Sequence, residues 1–220
     1  MTETPPAPQI TSPEIERYLD QIQGITDPLL EEMDRAAQER GFPRLARINA
    51  RLLGVLVRIV GAKSILELGS GFGWSALWMA RSMPSDGRIT LTDLDPKNLE
   101  EARGWLERAG LADRADYVAG DALEALARCK DGTWDLIFMD IEKSQYLSAL
   151  EAAVPKLKSG GLLCVDNALW HGLVAAAGSP ADEKTAAVMA FNRAVAGHPM
   201  LESLILPAGD GFSVSVKVSG

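Results

Sequence analysis

The chain has 220 residues, 47% of them hydrophobic, enough for one sizeable core. Its 30 acidic side chains outnumber 22 basic ones for a formal charge of −8, which excludes nucleic acid and anionic membrane surfaces, since either needs a basic face. No apolar run is long enough for a membrane span. The opening MTETPPAPQITSP lacks the basic and apolar regions of a secretory signal, and the only cysteines, Cys129 and Cys164, suit a reducing cytoplasm better than a disulfide framework.

In chain order, residues 1–12 are rich in Pro and Thr and are expected to form a disordered tail, with one domain over 13–220. Ser12 followed by Pro13 marks a helix start. A second helix is predicted from Asp27 to Arg40, ending at Gly41-Phe42-Pro43, and a third from Ala46 to Val60, ending at Gly61. From Ser64 the pattern changes to short apolar runs separated by helical stretches. The predicted strands are SILEL (64–68), RITLTD (88–93), DYVAG (116–120), WDLIFMD (134–140) and GLLCVD (161–166). The helices between them span Trp74–Arg81, Lys97–Ala109, Leu123–Cys129 and Gln145–Leu157. Near-continuous apolar strands alternating with helices predict a doubly wound α/β fold with a parallel sheet covered on both faces. A last helix near Asp182–Ala196 leads to ESLILP (202–207) and FSVSVKV (212–218). The strict alternation of the latter predicts an antiparallel strand with Ser213, Ser215 and Lys217 on a wetter face.

Ligands of such sheets bind outside the carboxyl ends of the strands. The first strand runs into ELGSGFGWS, whose Gly69, Gly71 and Gly73 let the backbone turn sharply and approach a ligand. The second strand ends in Asp93, about 20 residues past the loop, where a carboxylate can accept both ribose hydroxyls. Trp74 occupies the place where a dinucleotide fingerprint needs its last small residue, and Glu67 inside the strand suits an ammonium group rather than a pyrophosphate. Together they favour S-adenosylmethionine over NAD. At the end of the third strand Asp121 and Ala122 are candidate neighbours of an adenine, and Asp121 is equally a cap for the next helix.

The fourth strand ends in FMDIEKSQY and the fifth in VDNALW, so Asp140, Asp166 and Asn167 are expected side by side. Two carboxylates and an amide favour a hard cation: Mg²⁺, with Ca²⁺ or Mn²⁺ as alternatives. Lys143 is either a general base or a carboxylate-paired lysine at a helix start. Trp170 could stack on an aromatic substrate or pack as an edge tryptophan. His171 and His198 carry no assigned role.

The blocks LELGSGFGWSAL, TDLDP, MDIEKSQY, VDNALWHGLV and LPAGDGFSV resemble the cation-dependent O-methyltransferases of the caffeoyl-CoA and catechol type over about 15–218. The resemblance implies a Rossmann-like class I methyltransferase fold with seven strands in the order 3-2-1-4-5-7-6, the last-numbered antiparallel. It implies S-adenosylmethionine, a divalent metal, a homodimer, and methyl transfer to one hydroxyl of a vicinal dihydroxy-aromatic. Carried over, Glu67, Gly69, Ser70, Ser75, Asp93, Asp121, Ala122, Asp140 and Glu142 match cofactor contacts. Asp140, Asp166 and Asn167 match the metal ligands, and Lys143 the proposed base. The chain departs from the usual D-A-D-K in reading Asp140-Ile141-Glu142-Lys143, which puts the Glu142 contact in doubt, and Trp74 replaces a usual Tyr. The N-terminal helices (13–60) and the segment 170–182 are expected to roof the substrate pocket. A nicotinamide-dependent oxidoreductase and a non-catalytic nucleoside-binding module are the competing readings.

Overall fold

The computed structural model describes residues 8–176 and 182–218. Part of the expected tail (1–7) and of the expected roof (177–181) lies outside the described residues.

Three helices lead the chain. Helix α1 (Pro13–Ile22) starts where Ser12 Oγ accepts from Ile15 N at 3.3 Å, and α2 (Pro28–Glu39) where Asp27 accepts from Leu29 N at 2.9 Å. Helix α3 (Arg47–Val60) ends at Gly61 in the left-handed conformation. Then come β1 (Ser64–Leu68), α4 (Trp74–Ala80), β2 (Arg88–Asp93), α5 (Pro96–Arg108), β3 (Ala115–Ala119), α6 (Ala122–Arg128), β4 (Trp134–Met139), α7 (Tyr146–Lys156), β5 (Leu157–Val165), α8 (Glu183–Ala196), β6 (Leu201–Leu206) and β7 (Phe212–Lys217). The seven strands form one sheet in the order β3-β2-β1-β4-β5-β7-β6, with β7 antiparallel to both neighbours. This is the class I methyltransferase topology expected from the sequence.

Successive side chains of the central strands feed opposite cores, as period 2 requires. Ile65, Leu136, Phe138, Leu162 and Cys164 pack with α2–α5, whereas Leu66, Leu68, Ile137, Met139, Leu163 and Val165 pack with α6–α8. Strands buried on both faces must read as continuous apolar runs, which is why these were visible in the sequence.

Two strands differ from expectation. β5 begins at Leu157, four residues before the expected Gly161. Its first part pairs Leu157 with Trp134, the register shifts before the ladder resumes at Leu162, and Gly160 takes φ 77, so Lys158-Ser159-Gly160-Gly161 reads as a turn although it lies within the strand. The second difference is the face of β7 expected to be wet. Ser213 and Ser215 are buried, because α8 covers that side: Ser203 Oγ donates to Val195 O (3.1 Å) and bonds Ser215 Oγ (2.8 Å). An interior strand carries serines inward here, and alternation alone could not show which face was covered.

Candidate active site

The sheet order reverses between β1 and β4, so the carboxyl ends of these strands and their neighbours form the crevice. The loop after β1 is held from two directions. Gly69 N and Ser70 N donate to Thr92 O (3.0 and 2.8 Å), and Gly71 N donates to Asp93 Oδ2 (2.8 Å). Asp93 Oδ1 accepts from Asp95 N (2.8 Å) and Asn98 Nδ2 (3.0 Å), which fixes the carboxylate at the end of β2. Gly69 is required on two counts: its φ is 82°, and a Cβ there would stand 2.1 Å from the Asp140 carbonyl oxygen. Beneath the loop, Glu67 is fully buried. Ser75 Oγ donates to its Oε1, while Oε2 and the Ser70 hydroxyl have no partner. Burial pushes the Glu67 carboxyl up to about 8.

On the other side of Gly69, β4 and β5 deliver Asp140, Asp166 and Asn167. Together with Lys143 and Trp170 they line a cavity of about 500 Å³. A smaller cavity of about 180 Å³ lies among Gly69, Asp93, Gly120, Ala122, Ile141 and Gln145. Gly69, Asp93, Asp140, Ile141 and Glu142 border both. Lys143 Nζ sits 3.2 Å from Asp140 Oδ1, donates to Ile141 O (3.1 Å), and lies 4.9 and 5.6 Å from the ring centroids of Tyr146 and Trp170. It is therefore a paired, buried lysine, held between a carboxylate and two aromatic faces.

Asp166 is buried, and this, with the charge of Asp140 as a second cause, pushes its carboxyl up to about 7. Two carboxylates crowded so that one resists ionisation, with the Asn167 amide in the same cavity, fit a divalent cation, which relieves the repulsion. No group of three or more His, Cys, Asp or Glu side chains suited to a metal occurs among the described residues, so the donor set depends on the Asn167 amide. The orphaned Glu67 Oε2 under the glycine loop fits an ammonium group in the same way.

The model of a family described as O-methyltransferase matches residues 21–218. The chain belongs to this O-methyltransferase family. Caffeoyl-CoA O-methyltransferase 1 of Eucalyptus globulus is 33% identical over 180 residues, covering 78% of this chain and 73% of the relative. A catechol O-methyltransferase of Mycobacterium tuberculosis is 29% identical over 215 residues, covering 94% of this chain and 97% of the relative. Among solved structures, an O-methyltransferase from Bacillus cereus in complex with SAH superposes with a TM-score of 0.82 at 28% identity, covering 93% of this chain and 97% of that one. Membership replaces the two competing readings, since this family consists of methyl-transferring enzymes.

Within this methyltransferase the other expected residues take separate places. Ser75 supports Glu67 from below and does not line either cavity. Asp121 caps α6, Oδ1 accepting from Leu123 N (2.8 Å) and Glu124 N (3.2 Å). Its Oδ2 accepts from Gln145 Nε2 (2.7 Å), and Gln145 rather than Asp121 faces the smaller cavity. Glu142 stands at the rim, ion-paired with Lys184 at 3.2 Å. Trp170 and His171 adopt left-handed backbone (φ 44 and 55), as does Asn167 (φ 55), so VDNALW does form a tight turn.

Three supporting residues escaped the sequence reading. Asn49 of α3 donates through Nδ2 to Asp166 Oδ1 (3.2 Å) and Ala208 O (3.1 Å). Tyr146 Oη donates to Asp166 O (2.9 Å). Asp210 accepts from Asn167 Nδ2 (3.0 Å) and from His171 N. Only Asn49 left a local signal: a polar residue on the buried stripe with Ala50, Leu53 and Val57.

Proposed function

We propose that this methyltransferase moves the methyl group of S-adenosylmethionine to one hydroxyl of a vicinal dihydroxy-aromatic small molecule, with a divalent cation, Mg²⁺ foremost, held by Asp140, Asp166 and Asn167. The observation that carries the reading is the convergence of those three side chains and Lys143 in one cavity that shares Gly69, Asp93 and Asp140 with the smaller cavity at the ends of β2 and β3. The cofactor supplies an activated methyl group on a sulfonium, and a divalent cation supplies charge that favours ionisation of an adjacent hydroxyl.

The chain's own residues do the rest. Glu67, steadied by Ser75, takes the ammonium of the methionine moiety, with the Ser70 hydroxyl beside it. Asp93, already fixed by the loop, accepts from the ribose hydroxyls. Gly69 admits the cofactor closely, and Ala122 and Gln145 border the adenine, with Asp121 holding Gln145 from behind. Glu142 closes the rim through Lys184. Lys143 Nζ, paired with Asp140 in this structure, would take the proton of the reacting hydroxyl once a cation beside it disfavours its ammonium form, and Trp170 presents an aromatic wall to the acceptor. Holding donor and acceptor in line contributes through orientation. The catechol and SAH named for the mycobacterial and Bacillus cereus relatives support this assignment. The enzyme acts as a cytoplasmic homodimer; among the described residues no helix is long and apolar enough to cross a membrane.

Methylation of catechol in the presence of S-adenosylmethionine tests the reading by mass spectrometry. EDTA should abolish turnover and added Mg²⁺ restore it, and Asp166→Ala should lose at least about 100-fold in rate. Full turnover in EDTA, or wild-type rates in Asp166→Ala, would remove the cation from the mechanism.

A further inference from the structure

The oxygen cluster raises a question about its amide member. A carboxylate presents oxygen at either end, but an asparagine presents oxygen at one end and NH₂ at the other, and the two are nearly isosteric. Only the oxygen serves a hard cation. Something must fix which end of Asn167 faces the site.

We propose that Asp210 is the positioning residue that orients the Asn167 amide for cation binding; this rests on the cation reading above. An ionised carboxylate accepts hydrogen bonds and cannot donate them. Asp210 Oδ2 lies 3.0 Å from Asn167 Nδ2, and turning the amide over would set Oδ1 against a carboxylate oxygen at about the same separation. The Asn167 oxygen is thereby left at the end of the amide that Asp210 does not use. The other Asp210 oxygen accepts from His171 N, so the same carboxylate anchors both limbs of the left-handed turn.

The carboxylate itself has little freedom. Its side chain is 16% exposed, and its loop is stitched to the turn by Ala168 N to Gly211 O and Leu169 N to Asp210 O, both 3.0 Å. At Gly211 a Cβ would come within 2.4 Å of Leu169 N, so the loop and turn are in close contact. On the far side Asn49 Nδ2 bridges Ala208 O and Asp166 Oδ1, tying the loop to a second ligand. Such outer partners orient ligands and set metal affinity.

The test exchanges the two side chains. Mn²⁺ binding is measured by the EPR signal of free Mn²⁺, and thermal unfolding of each variant monitors the fold. Asp210→Asn is almost isosteric but can donate toward Asn167, so the amide loses its fixed sense; Mn²⁺ affinity should fall about 10- to 100-fold. Asn167→Asp alone places two carboxylates face to face and should also bind weakly. The double variant Asp210→Asn with Asn167→Asp restores a donor–acceptor pair and an oxygen toward the site. It should bind Mn²⁺ more tightly than either single variant and about as well as wild type, a recovery that loss of fold cannot mimic. The inference is overturned if Asp210→Asn binds Mn²⁺ like wild type, or if Asn167→Asp alone binds as tightly as the double variant. Asp166→Ala separates the two levels: if it binds Mn²⁺ like wild type, or if wild type binds none, the cation reading itself falls and takes the inference with it.

Discussion

Glu67 is the residue whose surroundings demand the most of a ligand. Its carboxyl is fully buried, satisfied at Oε1 by Ser75 and unsatisfied at Oε2, and burial raises it to about 8, so it holds its proton at neutral pH. An ammonium brought to Oε2 favours the carboxylate. Binding of S-adenosylmethionine at neutral pH should therefore release close to one proton. The sign follows from linkage: the complex holds fewer protons than the free protein, so affinity rises with pH and levels off above about 8, where Glu67 is already ionised. Calorimetry in buffers of differing ionisation enthalpy reads the released proton directly, and a buffer-independent enthalpy would contradict it. Glu67→Gln should abolish the release and weaken binding by about 2 kcal/mol, roughly 30-fold, the worth of one hydrogen bond to a charged group. Of the site, the strand-end carboxylates and glycines were legible in the sequence because each sits where an apolar run stops. The partnerships of Asn49 and Asp210 were not: they reach Asp166 and Asn167 across 117 and 43 residues of chain, and although Asn49 stands out as a polar residue on a buried stripe, nothing local names the partner of either.

At the scale of elements, β7 shows where periodic reasoning stops. Alternation correctly placed Val214 and Val216 on the face toward the core with α2–α5, and Ser213 and Ser215 on the other. That the serine face is dry depends on α8, which the strand itself cannot encode. The two serines differ: Ser215 has a partner in Ser203, whereas the Ser213 hydroxyl is buried without one. Ser213→Ala should thus raise stability by about 1 kcal/mol, a gain of roughly 2–4 °C in Tm for a chain of this size. Ser215→Ala, which removes a satisfied buried hydrogen bond and leaves Ser203 only its bond to Val195 O, should lower it. Differential scanning calorimetry of both variants decides; a destabilised Ser213→Ala would mean that its hydroxyl is satisfied after all. The central parallel strands β1 and β4, by contrast, were readable almost to the residue, since burial on both faces leaves near-continuous apolar runs. β5 escaped at its start because a bulge built on Gly160 carries turn-like residues within a strand.

At the scale of the whole molecule, α1 buries no residue, and its Ile15, Tyr18 and Ile22 are each more than half exposed. On α3, Ile59 is 72% exposed. An amphipathic helix that turns its apolar side chains outward requires a partner surface, and the homodimer proposed for this enzyme supplies one. Size-exclusion chromatography with light scattering should give twice the chain mass, and Ile15→Glu with Tyr18→Glu should shift it toward one chain while Mn²⁺ binding persists. A monomeric wild type at micromolar concentration would assign the stripe another role.

Gly69 carries a consequence for how this enzyme could change its acceptor. The Asp140 carbonyl lies so near that residue 69 has no room for even a methyl group, and Asp140 N in turn donates to Leu68 O at 2.9 Å. Where the two cavities meet at Gly69 the boundary is thus main chain, tied by the ladder of β1 and β4, with Asp93, Asp140, Ile141 and Glu142 bordering both cavities around it. No side chain can be added at residue 69 without displacing the Asp140 main chain. At that point the spacing of the two cavities is set by backbone, like the gap of a fixed-jaw tool. Variation among acceptors is left to the side chains farther out, from Phe42 to Trp170, which can be exchanged without touching that gap.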